Sequence, residues 1–159
     1  MTKTTRNTGF TLIELLIVIT IIAALAVVVF VVVNPVKRLA DSRDARRSAN
    51  AETILTAIHE YVSDNKGSLP TGLSTNMAET QLGTSGTACN MTQANCSIAT
   101  TSCLDLTTPL TKYLKSIPID PGATYSAAKT GFSVSVDANN IVTIKACGGE
   151  NSQNISQSR

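Results

Sequence analysis

The sequence predicts an α+β protein: a long N-terminal helix, transmembrane in its first half and amphipathic in its second, packed on a small antiparallel β-sheet. Three observations predict it. Residues 10–33 are 24 residues without Gly or Pro and with one charge, Glu14. Ala51, Ile54, Leu55, Ile58, Tyr61 and Val62 then recur at spacings of three and four, the stripe of a helix that buries one face. Finally, Phe132, Val134, Val136 and then Val142, Ile144, Ala146 alternate on either side of Asp137-Ala138-Asn139-Asn140, the pattern of a β-hairpin with a short loop.

The apolar run comes first. At about 1.5 Å per residue it is long enough to cross a bilayer core of about 30 Å. Glu14 is then a cost, on the order of 2.5–3.5 kcal/mol for comparable charges at a helix centre. An ordinary secretory signal would use the A-x-A match at Ala24-Leu25-Ala26, yet cutting there leaves Val27–Val33 as an exposed apolar terminus. A plain uncleaved anchor explains the length and leaves Glu14 unexplained. The basic residues Lys37, Arg38, Arg43, Arg46 and Arg47 follow the run, against Lys3 and Arg6 before it. Read alone, that asymmetry favours a C-terminus inside.

The totals bound the rest. The chain has 159 residues, the length of one ordinary domain, and its mean hydropathy of +0.14 comes mostly from residues 10–33. Aromatics are 4 % with no Trp, so the soluble part has a modest core. A net charge of +2 gives no argument for nucleic acid. Loss of residues 1–9 would remove Lys3 and Arg6, leaving 13 − 2 = 11 basic groups against 11 acidic ones. A near-neutral subunit can pack against copies of itself without strong repulsion. The four cysteines, Cys89, Cys96, Cys103 and Cys147, all follow the apolar run. In an exported segment they read as two disulfides, with three pairings open.

The stretch Thr8-Gly9-Phe10-Thr11-Leu12-Ile13-Glu14 resembles the processing site of bacterial type IV pilins and type II secretion pseudopilins, prepilins with a class III signal sequence. The resemblance implies that residues 1–9 are a leader cleaved between Gly9 and Phe10 on the cytoplasmic side. It implies N-methylation of Phe10 and a role for Glu14 in assembly. The physics fits: cleavage creates an amine at Phe10, about 6 Å along the axis from Glu14. In a bundle the amine of one subunit can meet the carboxylate of the next, and a buried charge is tolerated when paired. The resemblance further implies a structural subunit, not an enzyme, that assembles as a homo-oligomeric helical filament for adhesion, motility or DNA uptake. Its partners are the membrane, a prepilin peptidase, an assembly ATPase and a platform membrane protein, with no nucleic-acid contact. It begins as a single-pass inner-membrane protein, N-terminus cytoplasmic and C-terminus outside, and ends in an extracellular filament. Together with the exported-looking cysteines, this overrides the charge asymmetry. The alternatives are a pseudopilin of a type II secretion or competence machine, or a monomeric membrane-anchored surface binding domain.

After the polymerisation helix, residues 10–34, Pro35 is expected to kink the chain because it lacks an N–H and crowds the preceding turn. Residues 35–66 continue as the amphipathic half, with Gly67 as C-cap. The charged segment 37–52 reads as a solvated face, its Asp44/Arg47 pair worth a few tenths of a kcal/mol. Residues 43–70 also resemble the corresponding part of pilin-like proteins. Residues 67–105 read as a connecting loop carrying three cysteines. Residues 106–147 read as a short helix, Leu106–Ser116, and a three-stranded sheet with a strand near Ala123–Ala127. Residues 148–159 read as a flexible tail.

Other sites are weighed and set aside. His59 is the only histidine and lies beside the apolar stripe, without a second ligand near it. The C-x6-C-x6-C spacing lacks the close pairs of zinc sites. Asp120 and Asp137 are weighed for calcium, without a dense acidic loop around them. Asn90, Asn95 and Asn154 open glycosylation sequons that short sequences produce by chance. No nucleophile–base pair or phosphate loop is present in the sequence, and no cofactor or metal is expected.

Overall fold

The computed structural model describes residues 9–93, 95–150 and 153–159. The expected leader, save Gly9, lies outside the described residues. The chain divides into two compact units, Met1–Arg38 and Leu39–Arg159.

In the first unit, α1 runs Leu12–Val33. Val- and Ile-rich sequence is a mediocre helix former in water. In a bilayer, where the backbone must satisfy its own polar groups, the helix is the available single-segment solution. Leu12–Val32 qualifies as a span by length and hydropathy, and no part of it is buried against protein. Apolar side chains point out all round, from Leu12 to Val32.

The expected single helix bent at Pro35 is instead two helices, and the residue that separates them is Asn34. Asn34 takes left-handed backbone angles, φ 41° and ψ 78°, and ends α1. The residue before a proline is disfavoured in the α region, and Asn tolerates the left-handed one. Helix α2, Pro35–Asp64, starts immediately. Asn34 Oδ1 accepts from the Lys37 N–H at 3.3 Å and its carbonyl from the Arg38 N–H at 3.2 Å. Pro35 occupies the first helical position, where a missing N–H costs nothing.

In the second unit, α2 lays Ala51, Ile54, Leu55, Ala57 and Ile58 into the core, with Tyr61 and Val62 half-buried at its edge. The core is completed by Phe132, Val134, Val136, Val142, Ile144 and Ala146. Four antiparallel strands form the sheet, in the order β1 (Met77–Gln81), β4 (Phe132–Val136), β5 (Val142–Ala146), β6 (Ile155–Ser158). The hairpin β4 (Phe132–Val136) and β5 (Val142–Ala146) pairs in unbroken register, Val134 opposite Ile144. Its loop is fixed by Asp137 Oδ1, which accepts from Asn139 and Ile141 N–H groups at 2.8 Å each.

The other strands differ from expectation. The segment 67–105 is not a plain loop: β1 (Met77–Gln81) pairs with β4 across a bulge, and β2 (Met91–Gln93) with β3 (Cys96–Ile98) makes a separate hairpin. No strand forms near Ala123–Ala127; only a bridge between Ser126 and Lys129 is present there. The tail is not frayed at its end, because β6 (Ile155–Ser158) pairs with β5, and Arg159 and Val142 exchange two backbone bonds at 3.1 Å. The expected helix Leu106–Ser116 shortens to α3, Thr107–Leu110.

Candidate processing and assembly site

Gly9 and Phe10 precede α1 and are exposed. A Cβ added at Gly9 meets nothing within 4 Å, and its backbone is outside the left-handed region. Among the described residues, neither packing nor a left-handed backbone calls for glycine at this position.

Thr11 and Glu14 make a reciprocal pair. Thr11 is the N-cap: its Oγ1 accepts from the Glu14 N–H at 3.3 Å, while Glu14 Oε2 accepts from the Thr11 N–H at 2.9 Å and the Thr11 hydroxyl at 2.8 Å. This capping box satisfies two orphan donors of the first turn. The sequence reading gave Glu14 no partner within its own chain. The signal was present as T-x-x-E at Thr11–Glu14. Within the span the other polar side chain, Thr20, donates to the Ile17 carbonyl at 2.8 Å.

The second unit holds a charge cluster that the sequence reading missed. Arg47, expected on a solvated face, is buried. Its Nε and Nη2 donate to Asp120 Oδ2 and Oδ1 at 2.7 and 2.9 Å, and its Nη1 to Asp44 Oδ1 at 2.8 Å and Glu150 Oε1 at 3.0 Å. Arg43 adds a two-pronged pair with Glu150. Burial lowers the Arg47 pKa, but the hydrogen bonds it donates to Asp120, Asp44 and Glu150 outweigh this and raise it, so the guanidinium stays charged. Chiefly through the hydrogen bond from Arg43, Glu150 is held down to about 2. The backbone crowds Asp120: a Cβ at Gly131, which has φ +81°, would lie 2.8 Å from Asp120 Cβ, and one at Gly148 would lie 2.9 Å from its Oδ2. The cluster ties α2 to the turn before β4 and to the segment after β5.

Both disulfides form. Cys89 pairs with Cys103, and Cys96 with Cys147. The second joins the β2–β3 hairpin to the end of β5. Glu79 lies near Cys96 and Cys147, but bridged sulfurs offer no thiolate, and Glu79 accepts from Ser133 and Lys145. Of the residues weighed for calcium, Asp120 is committed to Arg47 and Asp137 to its own turn. His59 lies half-buried on α2 with Nε2 unpartnered among the described residues.

Residues 4–30 match a family model described as the prokaryotic N-terminal methylation motif. This motif marks the class III signal peptide of type IV pilin-like proteins. Neither the curated proteins nor the solved structures contain a match to the chain.

Proposed function

We propose that this chain, carrying an N-terminal methylation motif on an apolar helix, is a pilin: a structural subunit that polymerises through that helix into an extracellular type IV pilus-like filament. The motif supports a pilin or pseudopilin as the class of protein. The observation that carries the finer reading is the junction at residues 9–14. An exposed glycine precedes Phe10, and the Glu14 carboxylate four residues on closes the capping box of a helix with no protein against it. In this reading a prepilin peptidase cuts after Gly9, Phe10 is methylated, and the chain enters the membrane with its C-terminus outside. An ATPase-driven platform then moves subunits from the membrane into the filament.

The new amine at Phe10 and the Glu14 carboxylate set the register. The apolar surface of α1 is uniform and rewards any axial offset between subunits equally. A charge pair inside that surface rewards one. Because Glu14 accepts from Thr11, a lone subunit keeps its carboxylate hydrogen-bonded until the neighbour's amine arrives.

Mass spectrometry of the mature N-terminus tests the reading. Methylated Phe10 is the expected result, and an intact Met1 on surface protein refutes it. Glu14→Ala should leave membrane insertion intact and abolish filaments in sheared surface fractions; normal filaments from that variant remove the register role. A pseudopilin would show the same N-terminus without abundant surface filaments.

A further inference from the structure

The four-stranded sheet has two edges, and they differ. The β1 edge is blunted. Its ladder with β4 carries a bulge between Met77 and Thr80, and at its end the Gln81 carbonyl accepts from the Leu104 N–H at 2.8 Å. The β6 edge is bare among the described residues. Val142 and Arg159 exchange two backbone bonds, so Ile155, Gln157 and Arg159 are the residues whose backbone groups face β5. The N–H and C=O groups of Ser156 and Ser158 therefore point away from the sheet, and both residues are exposed. Natural edges are protected by Lys, Pro or a bulge. Ile155–Ser158 carries none of the three.

We propose that β6 pairs antiparallel, edge to edge, with β6 of a second copy of this chain. Two observations select that occupant. The first is self-complementarity. When Gln157 faces its own copy across a two-fold axis, Ser156 of each strand stands opposite Ser158 of the other. Every outward-facing backbone group of both strands then finds a partner. Ile155–Ser158 holds no charge, so no like charges oppose each other. The second observation is charge complementarity. In the same register the partner's Arg159 stands opposite Ile155, on the face turned toward α2. Ile155 packs against the core on that face, and Gln157 Nε2 donates to Ser48 Oγ at 3.3 Å. A groove of about 390 Å³ opens there between α2 and β6, with Asp41 and Asp44 in its lining and no basic residue among the described ones. The partner's guanidinium enters an acidic mouth.

A two-fold axis normal to the sheet reverses the direction of α2 in the second head. The pair is therefore not the contact between neighbours that enter one filament the same way. On the pilin reading above it joins heads of separate filaments, while the edge contact itself does not rest on that reading. A strand of 4 residues buries little area, so one pair is weak, and many pairs along two filaments multiply it. The blunted β1 edge stops the pairing from propagating to further copies.

Disulfide trapping of the full processed chain in detergent micelles tests the proposal. Across a non-hydrogen-bonded antiparallel pair the Cα atoms lie about 4.5 Å apart, within disulfide reach. Gln157→Cys should therefore give a covalent dimer on mild oxidation, its link mapped to the introduced thiols by peptide mass spectrometry. Ser63→Cys, at an exposed position of α2, measures chance collision. The expected dimer yield from Gln157→Cys is about tenfold higher, because pairing raises the effective thiol concentration. Adding Ser158→Pro removes an N–H that β5 does not use and should return the yield to the Ser63→Cys level. Adding Arg159→Glu leaves the backbone intact and should lower the yield through repulsion from the acidic groove. Equal yields from Gln157→Cys and Ser63→Cys overturn the proposal, as does a Gln157→Cys yield that neither added substitution lowers. On whole cells, a Gln157→Cys product whose second chain has a different mass overturns it too, because another protein then occupies the edge.

Discussion

Replacing Asp120 with Asn tests how the head is held together. The Asp120 side chain is 0 % exposed and that of Arg47 2 %, and two parallel bonds of 2.7 and 2.9 Å join them. Asn keeps the shape but removes the charge and turns an N–H₂ toward a guanidinium that has only donors to offer. At an effective dielectric of about 20, two unit charges about 4 Å apart interact by roughly 4 kcal/mol. Breaking a buried pair by removing one partner costs about 3–5 kcal/mol. Asp44 and Glu150 still face Arg47, which places the expected loss near the lower end, about 3 kcal/mol. For a unit of this size that lowers the melting temperature by roughly 10 °C. The assay is thermal and urea unfolding of the full chain in micelles, followed by circular dichroism. Lys112→Ala is the control. Its pair with Asp64 has side chains 75 % and 50 % exposed, and such a pair is worth about 0–1 kcal/mol. A loss below about 1 kcal/mol for Asp120→Asn, or one equal to that of Lys112→Ala, refutes the assignment of the cluster as the tie between helix and sheet.

Two further outcomes follow from the same unit. The Glu150 pKa is lowered from 4.5 to about 2 by Arg43 and Arg47. Its contribution is therefore complete above about pH 4.5 and lost as the pH falls toward 2; urea titrations across that window should show a decline that Glu150→Gln makes shallower. The disulfides should rank by the loops they close. Cys96–Cys147 spans 51 positions and Cys89–Cys103 spans 14, so chain entropy predicts losses of about 4 and about 3 kcal/mol when each is replaced by a serine pair, measured by denaturant unfolding.

Sequence periodicity reached the parts of the fold where one face is apolar. The stripe Ala51–Ile58 and the β4–β5 alternation are core, because burial of a face imposes its period on the sequence. It failed where burial and polarity part company. β1 carries a bulge that breaks its alternation and ends in the buried polar Gln81. β6 is an edge strand whose sequence, ISQS, is mostly polar and is held by ladder bonds. Arg47 departs from its local pattern for the same reason. The charged run 37–52 looks solvated, and the carboxylate that buries Arg47 lies 73 residues away at Asp120. Local spacing offered only Asp44. At the N-terminus the motif at residues 8–14 is legible, and the T-x-x-E of the capping box lies inside it at Thr11–Glu14, where a cleavage signal and a helix start share the same residues.

The crowding around Asp120 reaches beyond its ion pair. Gly131 and Gly148 flank the open end of the β4–β5 hairpin; a side chain at Gly148 would crowd the carboxylate that holds Arg47, and one at Gly131 the Cβ of that same Asp120 and the Tyr125 ring. Positions 47, 120, 131 and 148 thus form one chemical unit scattered over a hundred residues of chain. Exchange of head segments between related subunits should succeed when the four travel together and fail when the hairpin is moved without its arginine. Soluble yield across a panel of such chimaeras would rank by intact quartets and not by overall identity.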